Sequence, residues 1–256
     1  MRKTMITVLA ALAATELMAI QGTIFTETDS KTGDIKWQPR TKSYSLTYKK
    51  GKTDLQMEFP LADVTKIDVA KPAGYDKAVS MVEGGQGAGA ITSLAKIVAD
   101  YRMLNWDKQA GRYLALAYIA ANQPQKALDA CQAIINEDKS AAWSGDLAAA
   151  YWQALLKLGK TNQLEGLLKK AASSGSRQAS AAALNLRGDM IVAAGNDSPD
   201  SLKTALRDGY LRVALMYIDP ECSRERAEAM LKAAQCFDKL GMASRAEGLR
   251  NQAKAL

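Results

Sequence analysis

The chain has 256 residues, 34 Lys and Arg against 27 Asp and Glu, a formal net charge of +7, and no histidine. The missing imidazole excludes Ser-His-Asp and Cys-His catalysis and every His-ligated metal site, while carboxylate or lysine chemistry stays open. At 48% hydrophobic the chain is not disordered, and its length suits one large domain or two modest ones. The basic excess is spread along it. Its densest cluster, Lys49-Lys50-Gly51-Lys52, reads as a solvated hairpin tip, so nucleic acid is not an expected partner.

The first residues read as an export signal over 1–19. Arg2 and Lys3 form the charged start, Met5 to Ala14 a short apolar run, and Ala19 a small residue before a cut near Ile20. The run is too short to span a bilayer, and no Cys follows it as a lipoprotein anchor requires. Residues 20–70 then alternate apolar and polar. Ile35 and Trp37 share one face; Tyr44, Leu46 and Tyr48 the next; Leu55, Met57 and Phe59 follow, then Ile67 and Val69. Period two predicts four or five antiparallel strands, including Thr23 to Glu27, with Gly51 in a hairpin loop. One apolar face needs cover, so the sheet closes into a small barrel or packs on other elements. Pro60-Leu61-Ala62-Asp63 predicts a tight turn before the last strand. That order resembles an SH3-like small barrel over about fifty residues.

Lys71-Pro72-Ala73-Gly74 ends the strands, and the period over residues 71–256 is helical. Five helix hairpins are predicted: Tyr75 to Leu104, Asp107 to Asn136, Ala141 to Ala172, Arg177 to Asp219, and Arg224 to Ala255. Gly159, Gly195 and Gly241 mark turns in the last three, and Ser198-Pro199 supplies an N-cap with proline in the first turn. The segment from Asp100 to Asp107, with Tyr101 and Trp106, spans the joint between the first two hairpins and is expected to seal it. Cys131 falls mid-helix at a buried position. Cys222 and Cys236 bracket most of one helix, about 20 Å apart at the helical rise, too far for a disulfide. All three read as small buried apolar groups.

Leu114-Ala115-Leu116-Ala117-Tyr118, then Asn122-Gln123-Pro124, then Ala127, spell helix, turn and second helix with small residues at the crossing. The layout recurs downstream, and the helical part resembles the tetratricopeptide repeat family over roughly 180 residues. That family places a small residue midway in its first helix, a large apolar one three later, and Ala early in the second helix. Ala115, Tyr118 and Ala127 fit in the second hairpin. Ala234, Phe237 and Ala246 fit in the fifth, with Gly241 in the turn and Ala253 closing. Gly188 and Ile191 fit in the fourth, although its turn from Asn196 to Asp200 is longer than usual. In the third, Trp152 stands where a small residue belongs and Leu164 replaces the Ala, so that pair packs more openly or the Trp turns elsewhere. The first, with Ala90 and Leu94, matches loosely. The fold class is therefore a small antiparallel β domain followed by a mainly α, TPR-like right-handed solenoid, whose hairpins each bury an apolar stripe against their neighbours.

Catalytic motifs are missing. Gly84-Gly85-Gln86-Gly87-Ala88-Gly89 lacks the Lys and the upstream strand of a phosphate cradle and reads as a hairpin turn. Ser173-Ser174-Gly175-Ser176 is a hydrophilic connector. No cofactor or metal is expected, and no catalytic residue. The resemblance implies a partner-binding groove lined by first helices, with Gln109, Arg112, Gln153, Lys157, Asn185, Asp189, Gln235 and Asp238 facing inward. Leu116 and Ala150 stand where the carboxylate-clamping members of the family carry part of their Lys/Asn set, so that activity is not expected. The expected function is a non-enzymatic scaffold holding protein partners of a bacterial cell envelope, exported, with no integral span after signal removal. Self-assembly into a homo-oligomer and a His-independent enzyme are the rivals.

Overall fold

The structure is a computed structural model that describes residues 20–51 and 53–256. The export signal expected over 1–19 lies outside the described residues. The chain divides at Ala70 into two compact units.

The first unit is a five-stranded antiparallel sheet: β1 (Ile20–Phe25), β2 (Ser30–Gln38), β3 (Ser43–Lys50), β4 (Thr53–Pro60) and β5 (Lys66–Val69), in the order β4-β3-β2-β1-β5. A 3-10 turn, Leu61–Asp63, precedes β5 where the proline-led turn was expected. Gly51, at φ 68, takes the left-handed conformation of the β3–β4 turn. Register places Ile24 opposite Ile67, Ile35 opposite Leu46, and Trp37 opposite Tyr44, whose rings lie 4.9 Å apart. These side chains form the sheet's buried face.

Two features depart from simple alternation. The β1 strand starts at Ile20 and ends at Phe25, earlier than the Thr23 to Glu27 expectation. Along β3 the alternating Ser43 and Ser45 are buried, as Tyr44 and Leu46 are. Ser45 Oγ accepts from Gln56 Nε2 at 2.8 Å, and Ser43 Oγ lies 2.7 Å from Thr41 Oγ1. The β4 strand pairs with β3 alone among the described residues, so its apolar face is the least covered, with Met57 exposed.

The second unit is helical throughout. Its hairpins are α1 (Tyr75–Glu83) with α2 (Gly87–Asp100), α3 (Trp106–Ala120) with α4 (Pro124–Glu137), and α5 (Asp146–Lys157) with α6 (Thr161–Ala172). Then come α7 (Arg177–Ala194) with a second arm built from α8 (Pro199–Ala205), a π turn (Leu206–Tyr210) and α9 (Leu211–Met216). Last are α10 (Ser223–Lys239) and α11 (Ala243–Lys254).

One turn recurs in four hairpins. Gly85, Asn122, Gly159 and Gly241 all have positive φ. The following N–H groups, of Gln86, Gln123, Lys160 and Met242, each donate to the carbonyl five residues back. This closes the last carbonyls of the first helix, and the second helix starts one residue later. The fourth hairpin departs: Asn196 and Asp197 are both left-handed, and Ser198 caps α8 by accepting from Ser201 N, ahead of Pro199 in the first turn. Gly195 has negative φ and serves as a close contact instead, because an added Cβ would strike Ser201.

Small residues sit at the crossings. Ala90, Ala115, Ala117, Ala127, Ala234 and Ala246 have no exposed surface, which lets helix axes approach closely. The glycine run closes the α1–α2 turn, and at Gly87 a Cβ would lie 3.1 Å from Ala117 Cα, so its second job is close packing against α3. Trp106 packs edge-on to Tyr75 at 5.1 Å, which seals the first two hairpins as expected.

The third hairpin corrects an expectation. Helix α5 begins at Asp146, not near Ala141. A 3-10 turn, Lys139–Ala142, fills the gap, capped by Asp138 accepting from Ser140 N at 2.9 Å. That turn accommodates Trp152, which is fully buried and whose Nε1 donates to Ala142 O at 2.7 Å. The indole is therefore turned toward the preceding turn, and Leu164 fills the facing position on α6 with no exposed surface.

Cys131, Cys222 and Cys236 are all buried and unbridged. Burial pushes the Cys131 thiol up to about 12 and the Cys236 thiol up to about 11, and also raises Cys222. At neutral pH a thiol-exchange reagent should leave the folded chain untouched and titrate three thiols once urea is added. Prompt reaction of any one of them without denaturant would contradict this burial.

Candidate functional site

The first helices of successive hairpins present one polar concavity of about 580 Å³. Its walls come from α3 (Ile119), α5 (Gln153, Leu156, Lys157), α7 (Asp189, Val192) and α10 (Lys232, Gln235, Lys239). Asn196 and Asp197 close one end from the fourth hairpin's long turn, and Tyr210 enters from the π turn.

The floor is braced by ions. Lys232 Nζ lies 2.6 Å from Asp189 Oδ2 and 2.8 Å from Glu228 Oε1. Tyr210 donates its hydroxyl to Asp189 Oδ1 at 2.7 Å. Burial and the Asp189 charge both raise the Tyr210 phenol, so it stays protonated and donating. Burial alone would pull the Lys232 ammonium down; Glu228 and Asp189 outweigh it and hold the group above the ordinary lysine range. At the mouth, Lys239 Nζ reaches Asp197 Oδ2 at 2.6 Å.

Above this brace the remaining polar groups are open. Among the described residues, Gln153, Lys157 and Gln235 make no side-chain hydrogen bond or ion pair, and they share the lining with the apolar Ile119, Leu156 and Val192. Open amides and an ammonium between apolar patches suit a peptide, whose backbone offers acceptors and donors at short intervals. Both floor carboxylates are already occupied by donors, so neither stands ready as a general base. Among the described residues no three His, Cys, Asp or Glu side chains converge as metal ligands would. No helix there is long and apolar enough to cross a membrane.

Of the eight residues expected to line a groove, the structure gathers four here: Gln153, Lys157, Asp189 and Gln235. Asn185 is a correction. It is 2% exposed, and its Nδ2 donates to the Glu225 carbonyl at 2.8 Å, which ties α7 to α10. It sits on the inward face of α7, but α10 packs over it. Gln109 and Arg112 do not line the concavity; the Arg112 guanidinium lies 5.2 Å from the Tyr113 ring on the same helix. Asp238 pairs with Arg250 of α11 instead. The residues missed were Lys232, Lys239 and Tyr210. The two lysines could have been found, since Lys232, Gln235 and Lys239 repeat at three and four along one helix face. No local pattern announces Tyr210, because it comes from the second arm of the fourth hairpin, which reaches this groove through Leu202 of α8 and through the π turn.

The tetratricopeptide repeat family profile matches residues 109–140, most of α3 with α4 and the following turn. The α3–α4 hairpin is thus similar to one repeat of that family. No curated protein matches the chain. Among solved structures, the TPR-like repeats of a Podosopora anserina kinesin light chain protein, and a single-substitution form of the same repeats, are similar at 16% identity and a TM-score of 0.40. Each alignment covers 70% of this chain and 91% of that one.

Proposed function

We propose that the chain is a non-enzymatic scaffold of the bacterial cell envelope that holds an extended segment of a partner protein in the α3–α5–α7–α10 groove. The observation that carries it is the pairing of a braced ionic floor with open Gln153, Lys157 and Gln235 above it. A fixed floor lowers the entropic cost of binding, and the open groups supply the contacts. Export rests on the Arg2-Lys3 start and the apolar run from Met5. The order β4-β3-β2-β1-β5 with its 3-10 turn supports an SH3-like type for the sheet. N-terminal sequencing of the chain purified from its cells checks export, with a start near Ile20 expected.

The groove is tested by placing a photo-crosslinking amino acid at Gln153 or Gln235 in the living cell, with Asn162 on α6 as control. One common partner is expected from the two groove positions and none from the control. A partner captured equally from Asn162, or cross-links only to a second copy of the chain, would overturn the groove assignment, the latter in favour of self-assembly.

A further inference from the structure

A second concavity, about 710 Å³, shares no lining residue with the groove above. It lies between the second arm of the fourth hairpin and the α10–α11 turn. Its floor is apolar: Leu206 and Phe237 are buried, with Leu211 and Leu240 half-buried beside them. Its lip is apolar and open to water, with Leu215 73%, Met216 60% and Met242 37% exposed. Such a contiguous patch on a folded surface marks a contact site rather than scatter.

The rim has one sign. Lys203, Arg207, Arg212 and Arg245 line it, and no acidic residue does. Arg207 pairs with its neighbour Asp208, and Arg245 lies 5.8 Å from the Phe237 ring centroid. Lys203 and Arg212 have no ion pair among the described residues. The π turn organises this face. Lys203, Arg207, Leu211 and Leu215 recur every four residues, a spacing that drifts about 40° per step on an α-helix. The wider turn at Leu206–Tyr210 takes up part of that drift, so cations and anchors share one side.

We propose that this groove docks an amphipathic helix of a partner protein, apolar along one stripe and flanked by Asp or Glu. Concavity and charge together select that occupant. A helix about 10–12 Å across presents a ridge that reaches Leu206 and Phe237 between their helices, which a flat lipid surface does not. The acid flanks meet Lys203 and Arg212, which have no ion pair among the described residues, and speed encounter. A second copy is disfavoured because both chains carry a formal charge of +7. Met216 and Met242 adapt the lip to different side chains.

The probe is a labelled synthetic helix of about four turns with Leu at i, i+3, i+4 and i+7 and Glu on both flanks. Its twin carries Lys in place of Glu. Anisotropy with the full chain should show saturable binding of the Glu peptide that weakens with salt, and at least about tenfold weaker binding of the Lys twin. Leu215→Asp and Met216→Asp alter exposed side chains, so the fold survives, which circular dichroism verifies; each should cost at least about tenfold in affinity. Equal binding of both peptides, no saturable binding, or indifference to Leu215→Asp would overturn the proposal. So would co-sedimentation with anionic phospholipid vesicles, or dimerisation in the ultracentrifuge, that Leu215→Asp abolishes while the peptide does not bind.

Discussion

Replacing Trp152 by alanine lowers the stability of the helical unit by about 3–5 kcal/mol, the range for truncating a fully buried large aromatic. Two losses add. The indole leaves a cavity in a core where Tyr151, Leu155 and Leu164 are themselves buried. The Ala142 carbonyl also loses the donor that holds the Lys139–Ala142 turn in place. Trp152→Phe separates the two: it keeps most of the packing and costs about 1–3 kcal/mol through the orphaned buried carbonyl. Trp143, half-exposed with Lys170 Nζ 3.5 Å from its ring centroid, is the control, and its alanine variant should cost about 1 kcal/mol. Urea unfolding followed by far-ultraviolet circular dichroism measures all three. A Trp152→Ala midpoint indistinguishable from that of Trp143→Ala would show that the indole is not the anchor of the third hairpin.

Gly209→Val should cost about 3 kcal/mol or more and also disturb the groove, which a pure packing defect elsewhere would not. A Cβ at Gly209 would stand 2.9 Å from Gly188 Cα and 3.0 Å from the Leu184 carbonyl. Both are backbone atoms of α7 and have nowhere to go. Glycine faces glycine at this crossing, and the π turn is thereby pressed onto α7. That contact delivers Tyr210 to Asp189, one residue past Gly188. Forcing the helices apart should therefore break the Tyr210–Asp189 hydrogen bond and loosen Lys232. The check is thermal melting together with the Tyr210 phenol titration. In the wild type, burial and Asp189 hold that phenol above the ordinary tyrosine value; in the variant it should fall toward it. A variant that melts like wild type would mean α7 and the π turn separate at little cost.

Much of the architecture was legible because it is written in local spacing. Strand alternation, the Pro60–Asp63 turn, the Lys71–Gly74 boundary and the five hairpins follow from periods of two and 3.6 and from Gly, Pro and Ser at their ends. The alanines at positions 115, 127, 234 and 246 announced crossings for the same reason: only small side chains let two helices touch. The start of α5 was misplaced. Ala141 and Ala142 are good helix formers, but Gly145, at φ 81, interrupts the helix just before Asp146, and the Trp152 indole, ten residues on, bonds to the turn that precedes it.

The groove divides the same way. Gln153, Lys157, Asp189 and Gln235 were recoverable because the register of the family that the helices resemble says which side of each first helix faces inward. Asn185 has the same phase, yet lies under α10, since phase says which way a side chain points and not what comes to cover it. Sequence by itself determined the two kinds of unit, the hairpin count, the turn positions and the absence of imidazole chemistry, all of which depend on residues within a few positions of one another. Only the tertiary structure decided that Tyr210 joins Asp189, that Asn185 is sealed, and that a basic-rimmed apolar groove opens beside α9. Those outcomes depend on helix-to-helix distances set by Gly188, Gly209 and the π turn, whose partners lie some 20 or more residues apart in the chain.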